Sequence, residues 1–202
     1  MPRMDSIDAG TPDVRATILT AAESCFKRFG IAKTTMEDVA RAADLSRATV
    51  YRYFADRESL IVESIARRAR MNLAPARAFV AQWPTVTERL VEGICQDIRK
   101  GHSDPMVNRL VSPGQMSLAT RLLQQSGRAL ELTRELWEPI LAEEQRAGHL
   151  RPDLDLALLC EWIAELEILY ISQYDSDETT LDRVRAKLRA FVIPALLPHP
   201  VT

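Results

Sequence analysis

The chain has 202 residues, of which 47% are hydrophobic and 27% charged, and its formal net charge is −2. This composition is typical of a globular protein and excludes a disordered or fibrous chain. Charged residues interrupt the apolar stretches well before the roughly 20 residues that a membrane-spanning helix needs, so we expect no membrane partner. The first ten residues contain no apolar run of the secretory kind, and we therefore expect a cytoplasmic protein.

Apolar residues at helical spacing predict a first helix from Val14 to Phe29, which Gly30 ends with a left-handed cap. Thr35 is placed to cap a short second helix, and acidic residues follow it in the first turn, where they suit the helix dipole. This second helix spans about two turns and needs tertiary packing to be stable.

A tight turn at Asp44–Leu45 precedes a third short helix, for which Ser46 is the expected N-cap. Asp56 is the expected cap of a fourth helix. Two short helices joined by a turn of three or four residues are typical of a helix-turn-helix. A generic helical bundle with short loops has the same pattern, so the pattern alone leaves both interpretations open.

The rest of the chain is predicted to be helical as well. Helical periodicity or composition indicates a helix over 85–100 and a separate short helix that ends at Val111. Further helices are indicated over 115–147, with an interruption near Ser126–Gly127, over 154–174 and over 179–197. The helix over 154–174 is apolar on more than one face and must bury two of them. It is either the central helix of a monomer or part of an interface with a second copy.

The charges are divided unevenly along the chain. Residues 15–57 contain eight Lys and Arg against five Asp and Glu, whereas residues 58–202 are mildly acidic. This asymmetry favours two modules with different tasks.

Residues that commonly carry catalysis or bind metals are sparse and badly spaced. Cys25, Cys95 and Cys160 are far apart and lie among apolar residues, so we expect them to be buried. The sequence contains neither a phosphate-binding glycine loop nor a nucleophile elbow. We expect no metal, no cofactor and no enzymatic activity.

Residues 13–60 resemble the DNA-binding module of the tetracycline-repressor-type (TetR) transcriptional regulators. The resemblance is carried by the AA–F–FG end of the first helix, then TTMEDVA, then LSRATVYRYF, then a basic residue and Leu60. A weaker family-like stretch covers 138–155. Asp44 stands where the family turn usually has glycine, and aspartate tolerates a left-handed backbone. Arg57 stands where lysine is commoner, which keeps the positive charge.

The resemblance implies an all-α protein with an N-terminal three-helix DNA-binding domain and a larger C-terminal helical domain for ligand binding and dimerisation. We expect the DNA-binding domain over 13–73, with the helix-turn-helix unit at about 35–54, and the effector-binding and dimerisation domain over 74–197. Residues 1–12 and 198–202 are expected to be tails.

The predicted DNA-contacting residues surround the third helix, whose first residues would reach base edges in the major groove. They are Lys33, Thr35, Ser46, Arg47, Ala48, Thr49, Tyr51, Tyr53 and Arg57. Arg47 is suited to guanine, because a guanidinium can bond O6 and N7 together. Ala48 and Thr49 offer methyl groups to thymine, and Tyr51 and Tyr53 offer hydroxyls to phosphates. Ser46 could instead serve only as a cap, and one of the tyrosines could serve only packing.

The resemblance further implies a homodimeric repressor that binds a pseudo-palindromic double-stranded DNA operator and is released by a small-molecule effector. Candidate effector-binding residues are Met106, Met116, Trp137, Trp162 and Glu165. Ordinary core packing is the alternative for the apolar members, and solvent exposure is the alternative for the glutamate. Two other functions stay open at this point: a DNA-binding regulator without a small-molecule ligand, whose C-terminal domain serves assembly or a protein partner, and a helical enzyme.

Overall fold

The computed structural model describes residues 13–110, 127–173 and 177–198, which form helices and contain no strand. The predicted all-α fold is confirmed. The helices are α1 (Val14–Phe29), α2 (Met36–Ala42), α3 (Arg47–Tyr53), α4 (Arg57–Met71), α5 (Leu73–Ala81), α6 (Val86–Ser103), α7 (Pro105–Leu110), α8 (Arg128–Arg146), α9 (Leu156–Gln173), α10 (Glu178–Lys187) and α11 (Ile193–Leu196). Within these ranges, none of the helices has the length and apolar character of a membrane-spanning segment.

The chain divides into two compact units, one ending at Ser64 and the other beginning at Ile65. Helix α4 runs through this division, and the domain boundary predicted at residue 73 lies just after its end. The predicted tail over 1–12, and all but the first residue of the predicted tail over 198–202, lie outside the described residues.

The helices of the first unit begin where the sequence offers capping side chains. The carboxylate of Asp13 accepts hydrogen bonds from the backbone N–H groups of Arg15 and Ala16 at 3.0 and 3.2 Å, which opens α1. Thr35 forms a capping box with Asp38 at the start of α2, as its sequence position predicted. Because α2 and α3 have seven residues each, their stability depends on tertiary packing, of α2 against α1 and of α3 against α2.

The turn between α2 and α3 contains the left-handed residue that the sequence predicted. Asp44 has a φ of 54°, and the N–H of Leu45 donates to the carbonyl of Ala40 at 3.0 Å. Ser46 then caps α3, because its Oγ accepts a hydrogen bond of 3.0 Å from the N–H of Thr49. The predicted helix-turn-helix is therefore confirmed.

The second unit packs its core between α6, α8, α9 and α10. Trp137 on α8 is completely buried and lies against Gly93 on α6. A Cβ at Gly93 would lie only 2.9 Å from Cζ2 of Trp137. The absence of a side chain at this position lets α6 and the indole ring approach closely.

The C-terminal end departs from the single helix predicted over 179–197. Residues 188–192 form a π-helical turn between α10 and α11, in which the N–H of Ile193 donates to the carbonyl of Leu188. With this wider turn, Leu188 is followed by Ile193 and Leu196 as the next buried residues. Phe191 is 78% exposed. Helical periodicity could not anticipate this shift, because it assumes α-helical geometry throughout.

Candidate nucleic-acid interface and internal cavity

Helix α3 has only one buried residue, Val50. Val50 and Phe54, the residue that follows the helix, anchor α3 in the core of the first unit. Arg47, Ala48 and the other side chains of the helix are exposed or half-buried. The predicted DNA-contacting residues of α3 therefore lie on one short helix and have exposed or half-buried side chains.

Arg47 and Tyr51 lie one helical turn apart and contact each other. The guanidinium carbon of Arg47 lies 5.4 Å from the centre of the Tyr51 ring, and its Nη2 donates to the tyrosine hydroxyl at 3.4 Å. Arg52 stacks on Tyr53 in the same way, at 5.3 Å. Such stacking restricts the long arginine side chains while leaving their N–H groups available to an acceptor.

The two hydroxyls at the start of α3 are joined to each other. Ser46 Oγ and Thr49 Oγ1 are 2.8 Å apart, in addition to the capping bond from the Thr49 N–H. Ser46 thus has the structural role that the sequence left open, although it is also exposed. The neighbouring Ala48 is fully available for apolar contact with a base.

The remaining predicted contacts lie outside α3. Lys33 is exposed in the turn between α1 and α2, and Thr35 is exposed at the start of α2, where its hydroxyl donates to Asp38 at 2.7 Å. Arg57 is different, because its Nη1 donates to the carbonyls of Ile31 and Ala32 at 2.6 and 3.4 Å. Part of its guanidinium therefore holds the start of α4 against the turn that follows α1.

The second unit contains a cavity of about 370 Å³. Helices α4, α5, α6 and α8 supply most of its wall, which is largely apolar, and α9 adds Glu167. On one side, Arg68 forms an ion pair with Asp104, with Nη2 at 2.5 Å and Nε at 3.0 Å from the same carboxylate oxygen. A volume of this size is in the range of small-molecule sites in proteins.

One of the five predicted effector-binding residues, Trp137, lines this cavity. Met106 is buried beside it without lining it, and Trp162 lies against the apolar core of the second unit. Glu165 is exposed. Met116 lies outside the described residues.

Two acidic residues of the cavity wall, Asp97 and Glu167, were not among the sequence candidates. Asp97 lies between Ile94 and Ile98 on the apolar face of α6, and Glu167 lies in the apolar helix α9. A carboxylate on an otherwise apolar helix face is the signal that could have identified them.

Burial dominates the ionisation of both carboxyl groups. It raises the pKa of Asp97 to about 7, against the opposing effects of the Glu167 and Trp137 side chains. The pKa of Glu167 is also raised, first by burial and then by the charge of Asp97. Thr133 donates a long hydrogen bond of 3.5 Å to Glu167 Oε2. The cavity therefore contains a carboxyl pair that holds protons more tightly than exposed acids do.

The first unit matches a known family of bacterial regulatory proteins, and a relative that aligns over most of the chain is named as a transcriptional repressor. Residues 18–64 match the family described as bacterial regulatory proteins, tetR family. The chain is 25% identical over 181 residues to the HTH-type transcriptional repressor KstR2 of Mycobacterium tuberculosis, which covers 85% of this chain and 86% of the relative.

Solved structures show the same fold. The TetR family repressor AlkX from Dietzia, implicated in biodegradation of n-alkanes, superposes with a TM-score of 0.69 at 24% identity, over 94% of this chain and 100% of that one. Thermus thermophilus FadR, solved in complex with lauroyl-CoA, superposes with a TM-score of 0.64 at 20% identity, over 93% and 97% of the two chains. The match over residues 18–64 assigns the helix-turn-helix unit to the tetR family of bacterial regulatory proteins, and the solved structures show that the chain has the fold of these regulators.

Proposed function

We propose that this protein is a homodimeric, sequence-specific repressor that leaves its operator when a small molecule binds the C-terminal unit. The observation that carries the proposal is the exposed face of α3, where Arg47 is stacked on Tyr51 next to the accessible Ala48. Arginine is the side chain best suited to read guanine in the major groove, and a short helix with an exposed N-terminal half is the element that enters that groove.

The internal cavity supports a small-molecule effector over the alternative in which the C-terminal unit serves assembly alone. Its volume of about 370 Å³ and its mainly apolar wall fit an organic ligand. The relatives point the same way, since Thermus thermophilus FadR was solved with lauroyl-CoA. Helix α4 contains Arg57 near its start and contributes Arg68 to the cavity wall, so a shift of this helix is the simplest route for release. Coupling between two such sites is typically about 1–3 kcal/mol.

Large apolar side chains on the surface of the second unit support the homodimer. Leu158 and Leu169 on α9 are 64% and 41% exposed, and Phe191 in the π-helical turn is 78% exposed. Exposed apolar surface on consecutive helices favours burial against a second copy. A dimer would place two copies of α3 at a fixed spacing, which is what a pseudo-palindromic operator requires.

Selection of bound fragments from the DNA of the source genome tests the proposal directly. We expect the fragments to share a pseudo-palindromic motif with half-sites about one helical turn apart. Arg47→Ala should weaken binding to the selected motif by about 1–3 kcal/mol and relax one base position. Arg47→Lys is the matched control, because it keeps the charge and loses the two-pronged geometry. Fragments without a shared motif would contradict sequence-specific binding.

A further inference from the structure

The wall of the internal cavity contains three buried polar atoms without hydrogen-bond partners. They are Asp97 Oδ2, Glu167 Oε1 and Trp137 Nε1, and they come from three different helices. Buried polar atoms in proteins are nearly always hydrogen-bonded, so an unpaired set that faces one cavity indicates a missing partner.

The helix that carries Asp97 has glycine one turn before and one turn after it, which lets Trp137 and Ile171 pack closely against α6. Gly93, Asp97 and Gly101 follow one another at intervals of four residues and therefore lie on the same face of α6. A Cβ at Gly93 would overlap the Trp137 ring, and a Cβ at Gly101 would overlap the side chain of Ile171. Asp97 is thus the only side chain that this stretch of the face presents between its two glycines.

The charges around the cavity are unequal. Among the described residues that line it, Asp97, Asp104 and Glu167 are acidic, whereas Arg68 and Lys100 are basic. Arg68 is bound to Asp104 and Lys100 is exposed, which leaves Asp97 and Glu167 as the ionisable groups with buried oxygens in this wall. Burial is the first cause of the raised pKa of both acids, and the charge of Asp97 raises the pKa of Glu167 further.

We propose that the cavity binds a mainly apolar molecule carrying one protonated amine, whose N–H groups donate to Asp97 and Glu167. An ammonium group has three donors and no acceptor, so it can satisfy both unpaired carboxylate oxygens. Its positive charge also removes the repulsion between two ionised carboxylates. The Trp137 side chain also lowers the pKa of both acids, which favours the ionised carboxylates that an ammonium group binds.

The apolar part of the ligand is accommodated by the rest of the wall. Ile65, Leu73, Ala76, Leu132 and Leu136 supply aliphatic surface on α4, α5 and α8. An anionic ligand of the same length would place its head group against two acids and would be disfavoured. The inference rests on the proposed function only in taking this cavity as the effector site.

Decylamine, decanol and decanoate test the head-group preference, because they share one apolar chain. In calorimetric titrations of the full-length protein near neutral pH, we expect decylamine to bind at least about tenfold more tightly than the other two. Asp97→Asn and Glu167→Gln should each reduce decylamine binding about tenfold and leave decanol binding unchanged. Decanol binding also shows that each variant retains a folded cavity.

Glu161→Gln is the matched control, because Glu161 is exposed on the same helix as Glu167. It should leave the binding of all three compounds unchanged. Equal or tighter binding of decanol or decanoate by the wild-type protein would overturn the inference, as would an undiminished amine preference in both cavity variants. Because these titrations contain no DNA, their failure is distinguishable from failure of the proposed function, which the selection of genomic fragments tests separately.

Discussion

The guanidinium of Arg57 donates a hydrogen bond of 2.6 Å to the carbonyl of Ile31, 26 residues earlier in the chain. This bond joins the first turn of α4 to the segment that follows α1. A positive charge at this position therefore has a structural task in addition to any contact with phosphate. The two tasks can be separated by measuring stability and DNA binding in the same variants.

Arg57→Ala should lower the free energy of unfolding by about 1–3 kcal/mol, because it leaves the part-buried carbonyl of Ile31 without its charged donor. Urea denaturation followed by circular dichroism measures the change. Arg52→Ala is the control, since Arg52 is exposed and stacked only on Tyr53, and it should change stability by less than about 0.5 kcal/mol. Equal effects of the two substitutions would show that the Ile31 contact contributes nothing to stability.

Tyr51→Phe should weaken binding to all DNA sequences by a similar factor, because it removes a hydroxyl suited to phosphate and keeps the ring under Arg47. The expected loss is about 0.5–1.5 kcal/mol. Fluorescence anisotropy with the selected operator and with a scrambled duplex measures it. A loss confined to one operator variant would assign the hydroxyl to base recognition.

Asp44→Gly should stabilise the first unit by up to about 1 kcal/mol, because Asp44 has a φ of 54° that glycine adopts without a Cβ penalty. Asp44→Ala should destabilise it, since alanine has the penalty and lacks the short polar side chain. Thermal denaturation of the two variants ranks them. An alanine variant as stable as the glycine variant would mean that the turn conformation is not strained.

The raised pKa of Asp97 predicts how stability depends on pH. In the folded chain Asp97 keeps its proton up to about pH 7, whereas an unfolded aspartate loses it near pH 4. Between these values the folded state binds more protons, so the free energy of unfolding falls as the pH rises. Asp97→Asn removes this dependence, and its stability relative to the wild type should increase from about pH 5 to about pH 8. A constant difference between the two proteins across this range would show that the carboxyl titrates normally.

The proposed dimer predicts that charge at the exposed apolar residues causes dissociation. Leu158→Glu and Phe191→Glu should each shift the protein toward monomer at micromolar concentration, because an interface core excludes unpaired charge. Analytical ultracentrifugation measures the equilibrium. A wild-type protein that is monomeric at these concentrations would contradict the dimer.

Local features of the first unit were predictable from the sequence, because their causes lie within a few residues. Thr35 and Ser46 cap the helices that they precede, and Asp44 takes the left-handed conformation of the turn. Each of these depends on a hydrogen bond or a backbone angle within four positions. The burial of Cys25 and of the other two cysteines followed from their apolar neighbours.

Features that depend on distant residues were not predictable. Arg57 donates to the backbone carbonyl of Ile31 in the connection between α1 and α2, and no side-chain pattern in the sequence identifies this acceptor. Asp97 and Glu167 meet across the cavity only because α6 and α9 pack against each other. Tryptophan and methionine were chosen as ligand contacts by residue type, and of the described candidates only Trp137 reaches the cavity.

The exposure of Phe191 depends on the number of residues in the π-helical turn over 188–192. The turn holds one residue more than an α-helical turn would need to connect the same buried positions, and Phe191 faces outward as a result. Deleting a single residue from this stretch would restore α-helical spacing and rotate the aromatic ring toward the interior. A deletion of one codon here would therefore change the surface of the proposed dimer contact without substituting Phe191 itself.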